Sequence, residues 1–530
     1  MQSAISYTLA EIARTEEKSV DIDAIPFDDK ATFDLVKSTR TLGLFQVESP
    51  GQRELVGKFA PDSFNDLIIG ISLFRPGPVK GDMISPFLET RQGFQTRPFI
   101  HADLEEILKE TEGVVVFHEQ VIKIISTVTG CSLAEADEKR RDLGSREGQQ
   151  EVCDWFYSLG LARGYPQKVV DRVWQILRDF ASFGFCKAHA AAFALPTYQS
   201  GWLKTHYTAA FIAGLLTHDP GMYPKRLIVD EARQWGIAIA PVDVNKSDST
   251  YRVERTTELT QEPYVAPNTK SSGQTLSLPD ARGYAIRMSL ADVRGISIQE
   301  IENIIAGRPY LDLADFVYRA NVSAPTTEAL VNIGAFDKLN GVSKTGINRR
   351  DLYIHLAELQ KVITKAKQVS AAQLTFELKP TSVEKLGLPD VTAEEQLQNE
   401  LDTLGTEVTS HVLAPYVEFL NSIGVKKSAQ LIQERSGASV LVVGVKVALQ
   451  TPPIRTGQRV MFLTIDDGFG CNDLTFFQDS QAQYAHVIRN STLILARGVV
   501  RKTGPRGISL RATGAWDLNE AFNRWLAKAN

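Results

Sequence analysis

From Ser439 onward the texture of the chain changes, and that change constrains the fold more than any other feature. SVLVVGVKVAL, RVMFLTIDD, DLTFF, STLILARGVVRK and ISLRAT are rich in β-branched residues and divided by turn residues. Such side chains lose χ1 freedom in helices but pack well on pleated surfaces, so each run predicts a short strand. Five strands across roughly 75 residues suit a small OB barrel. A short helix is expected to follow around Leu518–Ala529. Residues 1 to about 245 carry the opposite signature. There, amphipathic runs such as Pro166–Phe180 and Pro196–Leu216 alternate with turns at Arg75–Pro78 and Asp219–Gly221. The expected architecture is multidomain: mainly α first, with glycine-turn helical hairpins over 284–340, then a small all-β barrel.

Composition narrows the classes of function. A chain of 530 residues exceeds one ordinary core, and about three or four domains are expected. The formal charge of −5 argues against a protein that merely coats nucleic acid, without excluding local basic faces. Cys131, Cys153, Cys186 and Cys471 are widely spaced, with no CxxC pair, so neither a disulfide framework nor a zinc site is expected. The first twenty residues form an amphipathic, acidic pattern rather than a signal peptide. No apolar run is long enough for a membrane span, and a reducing cytoplasm is the expected location.

The most informative segment for function is FGFCKAHAAAFALPTYQSGWLKTHY, Phe183 to Tyr207. It is apolar and helical in pattern, yet carries Lys187, His189, Lys204 and His206. Burying cations in apolar surroundings is costly unless an anion or hydrogen-bond partner waits there. The segment suits a wall meeting a flat apolar object attached to phosphates, such as a base-paired nucleotide.

Other motifs are weaker alone. Arg75 sits in LFRPGP, where two prolines and a glycine stiffen the backbone and can fix a guanidinium toward phosphate or toward a structural acid. Arg140 and Arg141 end a helix in ADEKRRDLGS, where cations are also favoured by the helix dipole. LADVRGISIQEIENI has the form of a helix-hairpin-helix, in which Arg294 and the Gly295 turn face a DNA phosphate; a bare packing unit is the alternative. A similar unit, TTEALVNIGAFDKL, follows. Gln373, Leu374 and Phe376 form a segment that either docks in another protein's groove or is a linker. Asp21 and Asp23 mimic a two-metal carboxylate pair but read as a solvated turn, and Asp466 and Asp467 read as hairpin residues before Gly468. No complete catalytic constellation is present in the sequence.

TLGLFQVESPGQRELV, LFRPGPVKGDM, GVVVFHEQVIKI, ADEKRRDLGS, GFCKAHAAAFALPTYQSGWLKTHY and PVDVNKSD occur in this order. Together they resemble the fingers region of bacterial C-family DNA polymerases, the alpha subunit of polymerase III, and most of all its error-prone second type. The resemblance covers about 1–340 strongly and the remainder moderately. It implies polymerase fingers over 1–245, a polar connector over 246–283, helix-hairpin-helix units over 284–340, a helical linker over 341–405, an OB fold over 406–520 and a tail over 521–530. It further implies that Arg75, Arg140, Arg141, Lys187 and His189 bind the incoming dNTP. Arg294, Gly295 and Lys204 would contact primer–template DNA, and Gln373, Leu374 and Phe376 would meet a sliding clamp, although their spacing departs from the family pentapeptide.

The family places a PHP domain and a palm with thumb before this region, and the palm's three aspartates hold Mg²⁺. Asp21 and Asp23 align instead with a non-catalytic loop, and the segment that binds the clamp loader's tau subunit is not matched. The implied function is therefore nucleotide and DNA binding for template-directed synthesis in replication or repair, with a complementary PHP–palm polypeptide as partner. The alternatives are a non-catalytic DNA-binding or clamp-tethered accessory and a decayed polymerase fragment.

Overall fold

The computed structural model describes residues 1–74, 84–94, 99–180, 185–257, 275–342, 344–368, 382–451, 459–503 and 506–529. Helices dominate up to Gln234, as the periodicity predicts. One hydrophobic core joins residues from Ala4 to Leu359 and takes in Val408, so the N-terminal helices and the hairpins over 284–340 are packed as one body. A second core, Leu104 to Phe180, defines a separate helical lobe built from His118–Thr129, Leu133–Asp142, Arg146–Ala162 and Gln167–Phe180.

Between these regions lies a three-stranded sheet that the sequence pattern did not reveal. Its strands are β1 (Ala238–Ala240), β2 (Arg252–Arg255) and β3 (Tyr284–Arg287), in the order β1-β3-β2. The central strand β3 pairs parallel with β1 and antiparallel with β2. The polar segment expected as a loop or hairpin thus begins on a strand, and its residues 258–274 lie outside the described ones.

The barrel is as expected. Strands β4 (Ser439–Gln450), β5 (Met461–Asp466), β6 (Cys471–Phe476), β7 (Leu493–Thr503) and β8 (Gly507–Asp517) close in the order β4-β5-β6-β8-β7. The β6–β8 pair is parallel and the others are antiparallel. The twelve-residue β4 pairs with both β5 and β7, which closes the sheet on itself. Gly444 marks that crossing: a Cβ there would sit 2.6 Å from the Asp466 carbonyl oxygen. A helix over Gln478–Asn490 packs on the barrel, and the expected C-terminal helix spans Leu518–Ala529.

The barrel docks on the helical body through a mixed seam. Leu42, Tyr223 and Leu227 meet Val447, Ala448 and Cys471. Beside them, Arg53 donates to both carboxylate oxygens of Asp473, at 3.0 and 2.8 Å. The backbones come close where Arg506 N–H donates to the Gly57 carbonyl.

Candidate nucleotide and DNA interface

A twenty-residue helix, Lys187–His206, occupies most of the segment expected to act as a wall and is called the wall helix below. Its two faces do different work. The inner face is fixed to the body: Tyr198 donates its hydroxyl to the Pro26 carbonyl at 2.5 Å, and Gln199 donates to the Ile22 carbonyl at 3.3 Å. The loop carrying Asp21 and Asp23 is thereby held under the wall. Both aspartates are exposed, with Asp23 N–H donating to the Asp21 carboxylate, as in a solvated turn.

The outer edge of the first turns carries aromatic rings. His189 is exposed, 5.2 Å from the Phe185 ring and 4.4 Å from Phe193, and Phe193 stacks on Phe45 at 5.6 Å. This row of half-exposed rings is an apolar, π-rich platform of the kind on which bases stack. Lys187 lies at its start, half-buried, 5.6 Å above the Phe117 ring, with its Nζ 2.5 Å from Glu110.

Lys204 does not reach the DNA side as the sequence predicts, because its side chain is completely buried at 0% exposure. Its Nζ donates to the carbonyls of Arg40 (3.0 Å) and Leu42 (2.8 Å) and to Glu231 (2.8 Å). Three acceptors match the three protons of an ammonium, so no donor is left for a ligand. Burial pulls the Lys204 pKa down while Glu231 opposes this. Burial would raise Glu231, but the adjacent Lys204 and Arg40 charges hold it at about 2. Held by these contacts, the pair is an internal strut between the wall and the Lys225–Gln234 helix.

Arg140 and Arg141 lie in the last turn of Leu133–Asp142, on the separate lobe. Both pair with Asp137, at 2.9 and 2.5 Å, and hold its carboxylate below the usual range. Arg141 is 70% exposed and Arg140 only 21%. The lobe meets the wall where Phe117 and Phe185 form a parallel bridge, and His118 N–H donates to the Phe185 carbonyl at 2.9 Å.

The hairpin has the expected form. Arg294 and Gly295 are exposed, and Gly295 adopts φ +86° with nothing within 4 Å of where a Cβ would stand. Ser297 caps the following helix in a reciprocal box with Glu300. Glu300 also accepts from Ser323 N–H and hydroxyl, tying the first hairpin to the start of the second at Ala324–Asn332. Burial would raise the Glu300 pKa, but these donors lower it to about 2. Arg75, Gln373, Leu374 and Phe376 lie outside the described residues.

One polar cluster was missed by sequence reasoning. Asp230, Glu407 and His411 place ligand-type atoms within 4.8 Å of one another at the barrel seam. Glu407 is already held by Arg226, Asp230 by Arg233, and His411 Nδ1 accepts from Leu413 N–H at 3.2 Å. His411 Nε2 lies 3.4 Å from Asp466 and 3.6 Å from Asp230. Two guanidiniums and an occupied Nδ1 suit an internal latch rather than a metal centre. Asp466 and Asp467 end their strand before a turn as expected, but both are buried in this latch, where Ser428 donates to Asp467. The signal was invisible because its members are spread over more than two hundred residues.

A long helix with an aromatic edge, paired helical hairpins and a closed five-stranded barrel are the modules this chain brings together. Comparison with known families agrees. Residues 1–157 match the bacterial DNA polymerase III alpha subunit finger domain, 236–352 the helix-hairpin-helix motif, and 440–518 the OB-fold nucleic acid binding domain. In these regions the chain is similar to bacterial DNA polymerase III alpha subunits and error-prone DNA polymerases. It is 34% identical over 492 residues to the error-prone DNA polymerase of Symbiobacterium thermophilum, an overlap of 88% of this chain and 44% of that protein. The error-prone DNA polymerase of Bdellovibrio bacteriovorus is 31% identical, over 91% of this chain and 44% of its own length. The DNA polymerase III subunit alpha of Pasteurella multocida is 28% identical, over 97% and 44%. The chain thus spans less than half the length of these relatives and corresponds to their C-terminal portion. No described helix is long and apolar enough to cross a membrane.

Proposed function

We propose that this chain supplies the incoming-nucleotide wall and the DNA-gripping modules of template-directed DNA synthesis. The observation that carries this reading is the open edge of the wall helix. There His189, flanked by Phe185 and Phe193, offers a stacking and hydrogen-bonding surface, and Lys187, two residues earlier at the start of the helix, offers charge. His189 contacts the nucleotide sugar and base, while Lys187, Arg140 and Arg141 take the triphosphate. Arg294 and the Gly295 turn grip duplex phosphates, and the barrel meets single-stranded template. By the same resemblance, Arg75 would take part in nucleotide binding and Gln373, Leu374 and Phe376 in binding a sliding clamp.

Phosphoryl transfer in this class uses Mg²⁺ held by paired carboxylates. The described residues near the wall do not fit that task. Asp137 is engaged by Arg140 and Arg141, Glu110 by Lys187, and Glu119 by backbone N–H. The ions would be held by palm carboxylates, and the residues described here act on binding and orientation.

The test is primer extension with Mg²⁺ by this chain alone and mixed with a separately expressed PHP–palm–thumb polypeptide. Extension in the mixture that falls with Arg140→Ala, Arg141→Ala and His189→Ala supports the proposal. Silence in the mixture, with DNA binding intact, would assign the chain to a DNA-binding accessory instead.

A further inference from the structure

The two groups of residues assigned to the nucleotide stand on different bodies. Arg140 and Arg141 belong to the lobe with its own core, and Lys187 and His189 belong to the wall. Something must set one against the other, because triphosphate and base are parts of one ligand. A misplacement of about 1 Å is enough to cost large factors in binding and rate.

Glu119 is placed to do this. It lies in the first turn of His118–Thr129 on the lobe, and its carboxylate faces the N-terminus of the wall helix. The residue preceding that helix, Cys186, makes no side-chain cap to it. Instead the Lys187 backbone N–H donates to both Glu119 oxygens at 3.0 Å, and Cys186 Sγ lies 3.4 Å from Oε1. A carboxylate at this position satisfies an otherwise orphaned donor and complements the positive end of the helix dipole. Burial would raise the Glu119 pKa, but the Lys187 N–H and its own backbone hold it below the usual range.

The lobe side of this contact is rigid. Gln120, buried next to Glu119, accepts from the N–H groups of Val116 and Phe117 and donates to the Ile107 carbonyl and the Thr111 hydroxyl. The segment that forms the Phe117–Phe185 bridge, next to the capping carboxylate, is therefore fixed by one side chain. A second link, Lys187 to Glu110, leaves the same lobe but is exposed and made by flexible side chains.

We infer that Glu119 is a positioning residue for nucleotide binding: it caps the wall helix from the neighbouring lobe and thereby couples Arg140 and Arg141 to Lys187 and His189. This rests on the nucleotide site proposed above. Glu119 touches no reacting atom. Its effect is exerted through the register between two bodies, which separates it from a residue that merely stabilises the fold.

The test compares Glu119→Ala, Glu119→Gln and Glu110→Gln in the full chain. Hydrogen exchange reports residues 185–190, fluorescent-dNTP titration reports affinity, and urea unfolding reports global stability. Loss of a helix cap is expected to speed exchange over 185–190 by roughly tenfold in Glu119→Ala. The same variant should bind dNTP at least several-fold more weakly, with the urea midpoint of the body little changed. Glu119→Gln keeps an oxygen acceptor and should restore most of both properties, while Glu110→Gln should leave exchange unaltered. Unchanged exchange in Glu119→Ala overturns the capping role, and faster exchange with unchanged dNTP affinity overturns the coupling. If the unmodified chain binds no dNTP, the nucleotide-site proposal fails instead, and exchange over 185–190 still decides whether Glu119 holds the wall.

Discussion

Replacing Lys204 by methionine keeps the side-chain volume but removes the ammonium from a site with 0% exposure. Three acceptors then lose their donor: the Arg40 and Leu42 carbonyls and the Glu231 carboxylate. Removing one partner of a buried ion pair costs about 3–5 kcal/mol. Glu231 retains the Trp235 indole N–H at 2.7 Å and Arg40 at 3.4 Å, which places the expected loss at the lower end, about 3 kcal/mol. With a urea slope of about 3 kcal/mol per M for a body of this size, the midpoint falls by about 1 M. Trp235, fully buried with the Lys204 Nζ 5.6 Å from its ring centre, reports the transition by fluorescence. The double variant Lys204→Met/Glu231→Gln should recover part of the loss, because the stranded charge is gone. The salt dependence of DNA binding by the folded variant should not change. A variant as stable as the parent, with a salt slope reduced by about one ion, would refute this assignment and return Lys204 to the DNA surface.

Three further outcomes test other parts of the structure. Arg294→Ala should weaken duplex binding uniformly across sequences and lower the salt slope by about one, read by anisotropy titration at several salt concentrations. Gly57→Ala places a Cβ 2.8 Å from Thr39 Cγ2 and 3.0 Å from the Gly507 nitrogen, so it should undock the barrel and hasten its release by limited proteolysis. The seam should also weaken as pH rises. Burial, then the Asp466 charge, raises Asp230 to about 7, and although burial lowers His411, its Asp466 hydrogen bond and the Asp230 charge raise it. Both groups bind protons more tightly in the folded state than in the unfolded chain, so their contribution is present at low pH and is lost as pH climbs through about 7. The neighbouring charges are Glu407, Arg226 and Arg233. Asp230→Asn should flatten this decline in barrel-release measurements between about pH 5 and 8.

The sequence was legible where local pattern and packing agree. Strand β6 alternates half-buried and buried residues along its length, and Ser297 with Glu300 forms the capping box that opens the hairpin helix. The sheet β1–β3 escaped notice because its strands are three or four residues long, too short for a period to register. The Gln478–Asn490 helix fully buries only Ser480 and Ile488 and partly buries Tyr484, Ala485 and Val487, an apolar face too short to stand out in the sequence. At the wall, His189 stands out in the sequence as a histidine among apolar and aromatic residues, and the structure leaves it exposed. Lys204 looked the same in sequence, but its partner Glu231 lies on another helix. Pairings of that kind are set by tertiary packing, as is the latch of Asp230, Glu407, His411 and Asp466.

The most direct measurement of the central claim is titration of a fluorescent dNTP into this chain, free and bound to primer–template DNA. The parent is compared with Lys187→Ala, His189→Ala and the Arg140→Ala/Arg141→Ala pair. Saturable binding, competed by unlabelled dNTP and weakened about tenfold or more by each change while the urea midpoint holds, is the predicted result. Absence of saturable binding, or equal affinity in all variants, would contradict the assignment of this wall to the incoming nucleotide.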